Sequence, residues 1–347
     1  MRINKTKAII VALSIACISM PFLSSCRGKE RLYRKSAILM DTLVAITVSA
    51  DSKENASAAI DAAFAEIKGL EARMSFWSPD SEISAINKYA GVKKVKVSPQ
   101  TLELTEKALF VSEKTGGAFD PTIGPVIRLY DFKEGVIPGE DKIKERLGRV
   151  DWRKVVADRT GLTVYLSEKG MSFDTGGILK GYAADVAVQA LKDKGIKGGL
   201  VAIAGDIKAF GLKPGGGPWN VGIRNPRPES EKDDVSATVA LMDEAISTSG
   251  DYERFFIKDG VRYHHILDPK TGRPAAGVRS VTVIAKEGVM ADGFSTGIFV
   301  MGPEKGMRLL KKLGFEGVIV DGEGKIHMTE GLKERLQFQK AGGHGGL

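Results

Sequence analysis

Four short segments of this 347-residue chain hold residues whose types and spacing could do chemistry together. In the first, Phe173-Asp174-Thr175-Gly176-Gly177-Ile178-Leu179-Lys180-Gly181-Tyr182-Ala183-Ala184-Asp185, a strand end meets two glycines and then a helix running to about Lys194. Glycines let a phosphate approach the main chain. The first turn of a helix offers unpaired N–H groups and a partial positive charge, and Lys180 adds a formal one. A diphosphate suits that chemistry. The spacing excludes a Walker A loop and GxGxxG, and two glycines before a helix also make an ordinary tight turn, so the segment acquires meaning only in company.

The second segment, Gly116-Gly117-Ala118-Phe119-Asp120-Pro121-Thr122-Ile123-Gly124-Pro125, ends a helix and stays non-helical through two prolines. There Phe119 could stack on a flat ring or plug the core, and Asp120 could accept from ring or ribose donors. The third, Tyr263-His264-His265-Ile266-Leu267-Asp268-Pro269, is a strand running into an Asp-Pro turn. Adjacent strand residues point to opposite faces, so only one of the two histidines can face a given pocket. In the fourth, Ala291-Asp292-Gly293-Phe294-Ser295-Thr296-Gly297, at the start of a helix, Asp292 and Thr296 stand four apart and share one face. Two hard oxygens on one face suit Mg²⁺, which keeps several waters and bridges to substrate phosphates. Read alone, Asp292 is an N-terminal helix cap.

These segments need elements to position them. Ala37–Ala50 reads as a first strand after a polar tether around Arg27 to Lys35. Ala56, Ala59, Ile60, Ala63, Phe64, Ile67 and Leu70 recur at helical spacing, and Ser98-Pro99 opens another helix toward Glu113. Apolar runs at Leu162–Leu166, Leu200–Ile203, Val235–Leu241, Ser280–Ile284 and Gly317–Val320 predict strands, and Pro214-Gly215-Gly216-Gly217-Pro218 predicts a tight loop inside the fold. The pattern is mixed α/β or α+β, and the expectation taken from it is α+β with mixed or antiparallel sheets and packed helices.

The N-terminus stands apart from that fold. Arg2, Lys5 and Lys7 precede the apolar run Ala8 to Leu23, an export signal, and Leu23-Ser24-Ser25-Cys26 resembles a bacterial lipobox in which Cys26 becomes acylated. The expected division is a leader at 1–25, a lipidated tether at 26–36, one domain at 37–340 and a disordered tail at 341–347. Cys17 and Cys26 are the only cysteines, so the domain has no disulfide and no thiolate chemistry. The net charge of +8 includes three cations of the leader, and no Lys/Arg run with interleaved aromatics marks a nucleic-acid face.

Taken in order, the segments resemble the ApbE family of FAD:protein FMN transferases from Met40 to about Val320. Met40-Asp41-Thr42 is similar to its Met-Gly-Thr, with Met74-Ser75-Phe76-Trp77, Asp80-Ser81-Glu82-Ile83-Ser84 and Asn87 following. Gly117 to Pro121 resembles its FAD loop, and Asp174 to Asp185 its Asp-x-Gly-Gly-x-x-Lys-Gly-Tyr-x-x-Asp segment. Ala204-Gly205-Asp206 is similar to the end of a Gly-Gly-Asp motif, Ser247-Thr248-Ser249-Gly250 to a Ser-Thr-Ser-Gly turn, His265 to Pro269 to His-x-x-Asp-Pro, and Asp292 to Thr296 to Asp-x-x-x-Thr. The chain departs from the pattern at Asp41, Ala204, Leu179 and Gly293.

The resemblance implies a T-fold-like architecture in which Met40 and Trp77 flank a flavin. Ala118, Phe119, Asp120, Gly176, Gly177, Lys180, Tyr182, His265 and Leu267 would contact FAD, while Asp292, Thr296 and the Leu179 carbonyl would hold Mg²⁺ or Mn²⁺. The implied reaction moves FMN from FAD to a Thr or Ser hydroxyl of a partner, such as a subunit of a membrane redox complex. It forms a phosphodiester and releases AMP, with His265 as base or relay and Asp292 as the second catalytic residue. The implied setting is the periplasmic face of a membrane reached through the lipid on Cys26. The same residues would also serve a hydrolase that splits FAD into FMN and AMP, or a periplasmic lipoprotein that binds FAD without turnover.

Overall fold

The computed structural model describes residues 30–228 and 235–338. The leader, Cys26 and the tail from Ala341 therefore lie outside the described residues. The α+β expectation holds. Eight strands, Arg31–Leu39, Thr42–Ala50, Gly198–Ile203, Asp206–Phe210, Ala245–Gly250, Val278–Ala285, Glu316–Asp321 and Ile326–Met328, lie side by side in chain order in one sheet. Each neighbouring pair is antiparallel.

Strand alternation decides which face meets the core. Val44, Ile46 and Val48 of the second strand are fully buried on one face. Helices Lys53–Met74, Leu179–Asp193 and Gly288–Met301 cover that face, and Pro99–Thr115 packs against the last of them. Lys53–Met74 starts where the Ser52 hydroxyl accepts the Asn55 N–H, and it buries Ala56, Ala59, Ile60, Ala63, Ile67 and Leu70, the stripe that helical spacing predicts. Pro99–Thr115 has the predicted Ser98 cap and first-turn proline, and ends at Gly116 in the left-handed region, φ 63°.

The opposite face is covered only in part. Trp219–Arg224, Val235–Leu241 and Leu336–Phe338 form a three-stranded sheet whose Trp219 and Val221 pack against Ala209, Ile246 and Ile284. At the far edge the outward side of the Arg31–Ala50 hairpin stays exposed, with Ile38 72% accessible. Among the described residues no helix is long and apolar enough to cross a membrane.

Three local expectations change. Ala37–Ala50 is not one strand: it breaks at Met40 and Asp41, with φ of 54° and 55°, into a hairpin whose first arm begins at Arg31, within the stretch expected to be tether. Neither residue is the Asn-Gly or Asp-Gly pair that announces such a turn. Ser247–Gly250, expected as a turn, ends a strand inside the sheet, its hydroxyls bonding neighbouring elements and not its own main chain, Thr248 to its cross-strand partner Thr282 at 2.8 Å and Ser249 to Ser295 of the covering helix at 2.8 Å. Asp292 lies in the second turn of Gly288–Met301, whose cap residue is Glu287, so it does not cap its own helix.

Candidate active site

A cavity of about 500 Å³ opens where the tip of the first hairpin, the Ala204-Gly205 turn, the end of Ala245–Gly250 and the start of Leu179–Asp193 converge. Its volume falls in the range of sites that engulf a small-molecule ligand. Met40, Trp77, Ala118, Phe119, Asp120, Gly176, Gly177, Leu179, Lys180, His265, Leu267, Asp292 and Thr296 all line it.

Tyr182 is the exception. It is buried away from the cavity and its hydroxyl donates to Glu103 at 2.9 Å, so it braces two helices and does not touch the ligand space. Two residues along a helix turn the side chain by about 200°, so a cavity-facing Lys180 sends Tyr182 into the core.

The floor is built by two helices that cross almost in contact. A Cβ on Gly181 would lie 2.2 Å from the Gly288 carbonyl oxygen, and one on Gly288 would lie 2.5 Å from that of Gly181. Only hydrogen fits at either position. Across this crossing the helices exchange carboxylates: Asp185 accepts the N–H groups of Gly288 and Val289 at 2.8 and 2.9 Å, and Asp292 accepts that of Gly181 at 2.9 Å. Each helix thus caps the other's N-terminus, favourably for both dipoles.

That exchange corrects the anion-site expectation. The first-turn donors of Leu179–Asp193 are not open to a phosphate: the Leu179 N–H bonds the Thr175 carbonyl and the Gly181 N–H bonds Asp292. The negative charge at the helix start is the protein's own carboxylate. Burial, and after it the neighbouring Asp206, push the Asp292 carboxyl up to about 8.

Lys180 answers part of that charge. Its Nζ lies 3.1 Å from Asp206, and Asp206 foremost raises the ammonium's pKa. Asp206 in turn accepts the Ser247 hydroxyl. A chain of hydroxyls continues from Ser247 to Ser295 at 3.3 Å, Ser295 to Ser249 at 2.8 Å and Ser249 to Thr296 at 3.2 Å. Gly177 faces this floor from the other side, where an added Cβ would lie 3.3 Å from Thr296 and 3.2 Å from Phe119. Among the described residues no three His, Cys, Asp or Glu side chains converge as a metal centre. The oxygens present are one carboxylate, one hydroxyl and the main chain of Leu179.

The loop Gly116–Pro125 forms one wall. Phe119 is 4% exposed and part of the main core, so it fills space beside Gly177 more than it presents a free face. Asp120 already accepts from Thr122 N–H at 2.8 Å, Thr122 hydroxyl at 2.6 Å and Trp152 N–H at 3.0 Å, which fixes the loop's shape. Burial raises its pKa despite those bonds. Asn87 pairs with both main-chain groups of Phe173, at 2.6 and 3.0 Å, and so aims the glycine segment.

The two histidines separate as strand geometry requires. His264 is buried, its Nε2–H donating to the Ala275 carbonyl at 2.9 Å. His265 lines the cavity, half-buried, with Nδ1–H directed at the Arg254 carbonyl 3.3 Å away, which leaves Nε2 as an acceptor. Burial first, then the charge of Arg254, lower the imidazole pKa to about 3. At the rim, Trp77 is 59% exposed, with the Arg128 guanidinium 5.2 Å from its ring. The Met40 N–H donates to Glu71 at 2.9 Å, which ties the hairpin tip to the long helix.

Residue reasoning missed Asp206 as a site residue, although the Ala204-Gly205-Asp206 motif was visible, and it missed Arg254 and Glu71, each a lone charge with no local signal.

Comparison with known proteins adds an independent line. Residues 40–319 match the family model described as the ApbE family. A FAD:protein FMN transferase of Treponema pallidum is 36% identical over 338 residues, covering 91% of this chain and 92% of that protein. Among solved structures, the ApbE protein of Thermotoga maritima superposes with a TM-score of 0.81 at 35% identity, over 88% of this chain and 99% of the other. The flavin transferase ApbE of Vibrio cholerae gives 0.77 at 31% identity, over 88% and 99%. By sequence along nearly its whole folded length, and by the sheet and helices around its cavity, the chain belongs to the ApbE family of FAD:protein FMN transferases.

Proposed function

We propose that the chain transfers the FMN half of FAD to a Thr or Ser hydroxyl of a partner protein, with Mg²⁺ or Mn²⁺ at the floor of the cavity. The observation that carries the proposal is the position of Asp292. Its carboxylate holds the helix start where a phosphate would otherwise sit, inside a cavity large enough for a nucleotide. Two anions share such a place only when a cation lies between them. One carboxylate, one hydroxyl and a main-chain carbonyl are all hard oxygens lining the same cavity, and that donor set fits a hard divalent ion.

Asp292, Thr296 and the Leu179 carbonyl would hold the ion, which supplies neutralisation of the diphosphate. Lys180, fixed by Asp206, places a second positive charge at the same end of the cavity. Trp77 and Met40 offer the flavin an aromatic and an apolar surface at the rim. His265, whose Nδ1–H faces the Arg254 carbonyl so that Nε2 can accept, would take or relay the proton of the attacking hydroxyl. A P–O bond forms from that oxygen to the FMN phosphorus, the P–O bond to the AMP phosphate breaks, and AMP leaves. Positioning and charge compensation supply most of the rate. FMN-bearing subunits of membrane redox complexes fit as acceptors of an exported, lipid-anchored enzyme.

The test incubates the protein with FAD, Mg²⁺ and a candidate acceptor, followed by mass spectrometry for added FMN and chromatography for AMP. An adduct that disappears in Asp292→Ala is the expected result. AMP with free FMN and no adduct would replace transfer by hydrolysis, and intact bound FAD would reduce the chain to a binding protein.

A further inference from the structure

We propose that the outward face of the first hairpin lies flat on the anionic surface of the membrane that holds Cys26. Leu32, Ile38 and Leu43 are 50%, 72% and 54% exposed. Ile38 stands directly opposite Leu43 in the strand register, and Leu32 lies six residues back on the same face of the strand. The three side chains therefore span about 20 Å along one side of the hairpin. Arg34 lies between them, exposed on that same face. The inward face is already occupied, with Lys35 bonded to Asp61 and Ser57 of the long helix.

The occupant follows from where the chain comes from and from its charge. From Cys26 to Arg31 the backbone reaches at most about 18 Å, so a lipid on Cys26 holds the start of the hairpin close to the bilayer. In that stretch Arg27, Lys29 and Arg31 outnumber Glu30. A hairpin standing upright would bring only Leu32 to the lipid and leave Ile38 and Leu43 in water. Lying flat, it seats apolar side chains at both ends and sets Arg34 against lipid phosphates, the composition of an interfacial contact. Because Met40 and Asp41 line the cavity, this pose holds the cavity mouth at headgroup height. The acceptors within reach are then those that present their Thr or Ser next to a membrane.

The proposal rests on the lipid-anchoring reading, and its test separates the two. The described residues contain no cysteine. The full mature chain, purified from membranes as Leu32→Cys, Ile38→Cys or Leu43→Cys, carries one nitroxide label. It is reconstituted on phosphatidylcholine vesicles with and without phosphatidylglycerol. Val92→Cys and Ile257→Cys, 68% and 61% exposed elsewhere, serve as references. The expected result is a severalfold rise in the oxygen-to-nickel accessibility ratio at all three hairpin positions on anionic vesicles, with the references unchanged and the rise reduced by Arg34→Glu. A chain retained on vesicles with every label in water overturns the flat pose and leaves anchoring intact. A chain found in the supernatant overturns both. Protection of the hairpin labels without vesicles assigns the face to a second copy and also overturns the proposal.

Discussion

The floor and the rim of the cavity are built by different means. The floor comes from helices Leu179–Asp193 and Gly288–Met301 and the strands beneath them, where Lys180, Asp206, Ser247, Ser295, Ser249 and Thr296 form one bonded chain and buried Asp292 accepts the Gly181 N–H. The rim comes from turns, and its main surfaces, Trp77 and the Met40-Asp41 tip, stay open. Charge compensation demands fixed dipoles at known places, which packed helices supply. A surface that must admit a large ligand and then a protein partner needs room to adjust, which turns supply. Binding and turnover are thereby assigned to different residues.

The largest effect tests the floor. Asp292→Ala is expected to lower turnover by about 10³-fold or more at saturating FAD, the scale of removing a central electrostatic group. It should also abolish any rise in melting temperature on adding Mg²⁺; a variant that keeps both would leave the floor without its assigned role. His265→Gly comes next, with turnover down roughly 10²-fold and little change in FAD affinity measured by fluorescence quenching.

The pH dependence of His265 has a definite sign. Its folded pKa is lowered from 6.5 to about 3, so as pH falls the unfolded chain takes up the proton first. Stability is then lost progressively from about pH 6.5 toward 3, and above that window the residue contributes no slope. Urea titrations of His265→Asn should show a shallower acid decline than the parent. Turnover should show no break near 6.5 from this residue, because its Nε2 stays free of a proton there.

The smaller effects test the rim. Trp77→Ala should weaken FAD binding by about tenfold, near 1.4 kcal/mol, while turnover at saturation changes little. Equal losses in both parameters would erase the distinction between rim and floor. Asp41→Gly should stabilise the fold by up to about 1 kcal/mol in urea unfolding, since glycine takes a φ of 55° without a Cβ penalty. If stability falls, the Asp41 carboxylate holds the tip by a contact that its backbone angle does not reveal.

The sequence showed the parts of the site better than their wiring. Gly176, Gly177, Lys180, Asp292 and Thr296 were visible because helix period and glycine placement constrain them locally. The use of the helix start by Asp292 was not, since its partner Gly181 lies 111 residues away in the chain. Tyr182 was drawn in by its place in a motif, although helix geometry alone turns it into the core. In the fold, Leu39, Leu43, Ile46 and Val48 among β-branched neighbours announced a strand. The first arm of the hairpin stayed hidden because its outward face carries Leu32 and Ile38 where water-facing polar residues would normally mark the alternation.

The carboxylate exchange between the two floor helices also sets the order of events in the life of the molecule. Asp185 and Gly288 are 103 residues apart, and Gly181 and Asp292 are farther still. Contacts so distant in sequence form late and slowly. A chain leaving the ribosome has its glycine segment and Lys180 outside well before Asp292 arrives. The cavity floor therefore comes into existence only when the chain has been made through Asp292, and ligand loading is a step that follows that long-range closure.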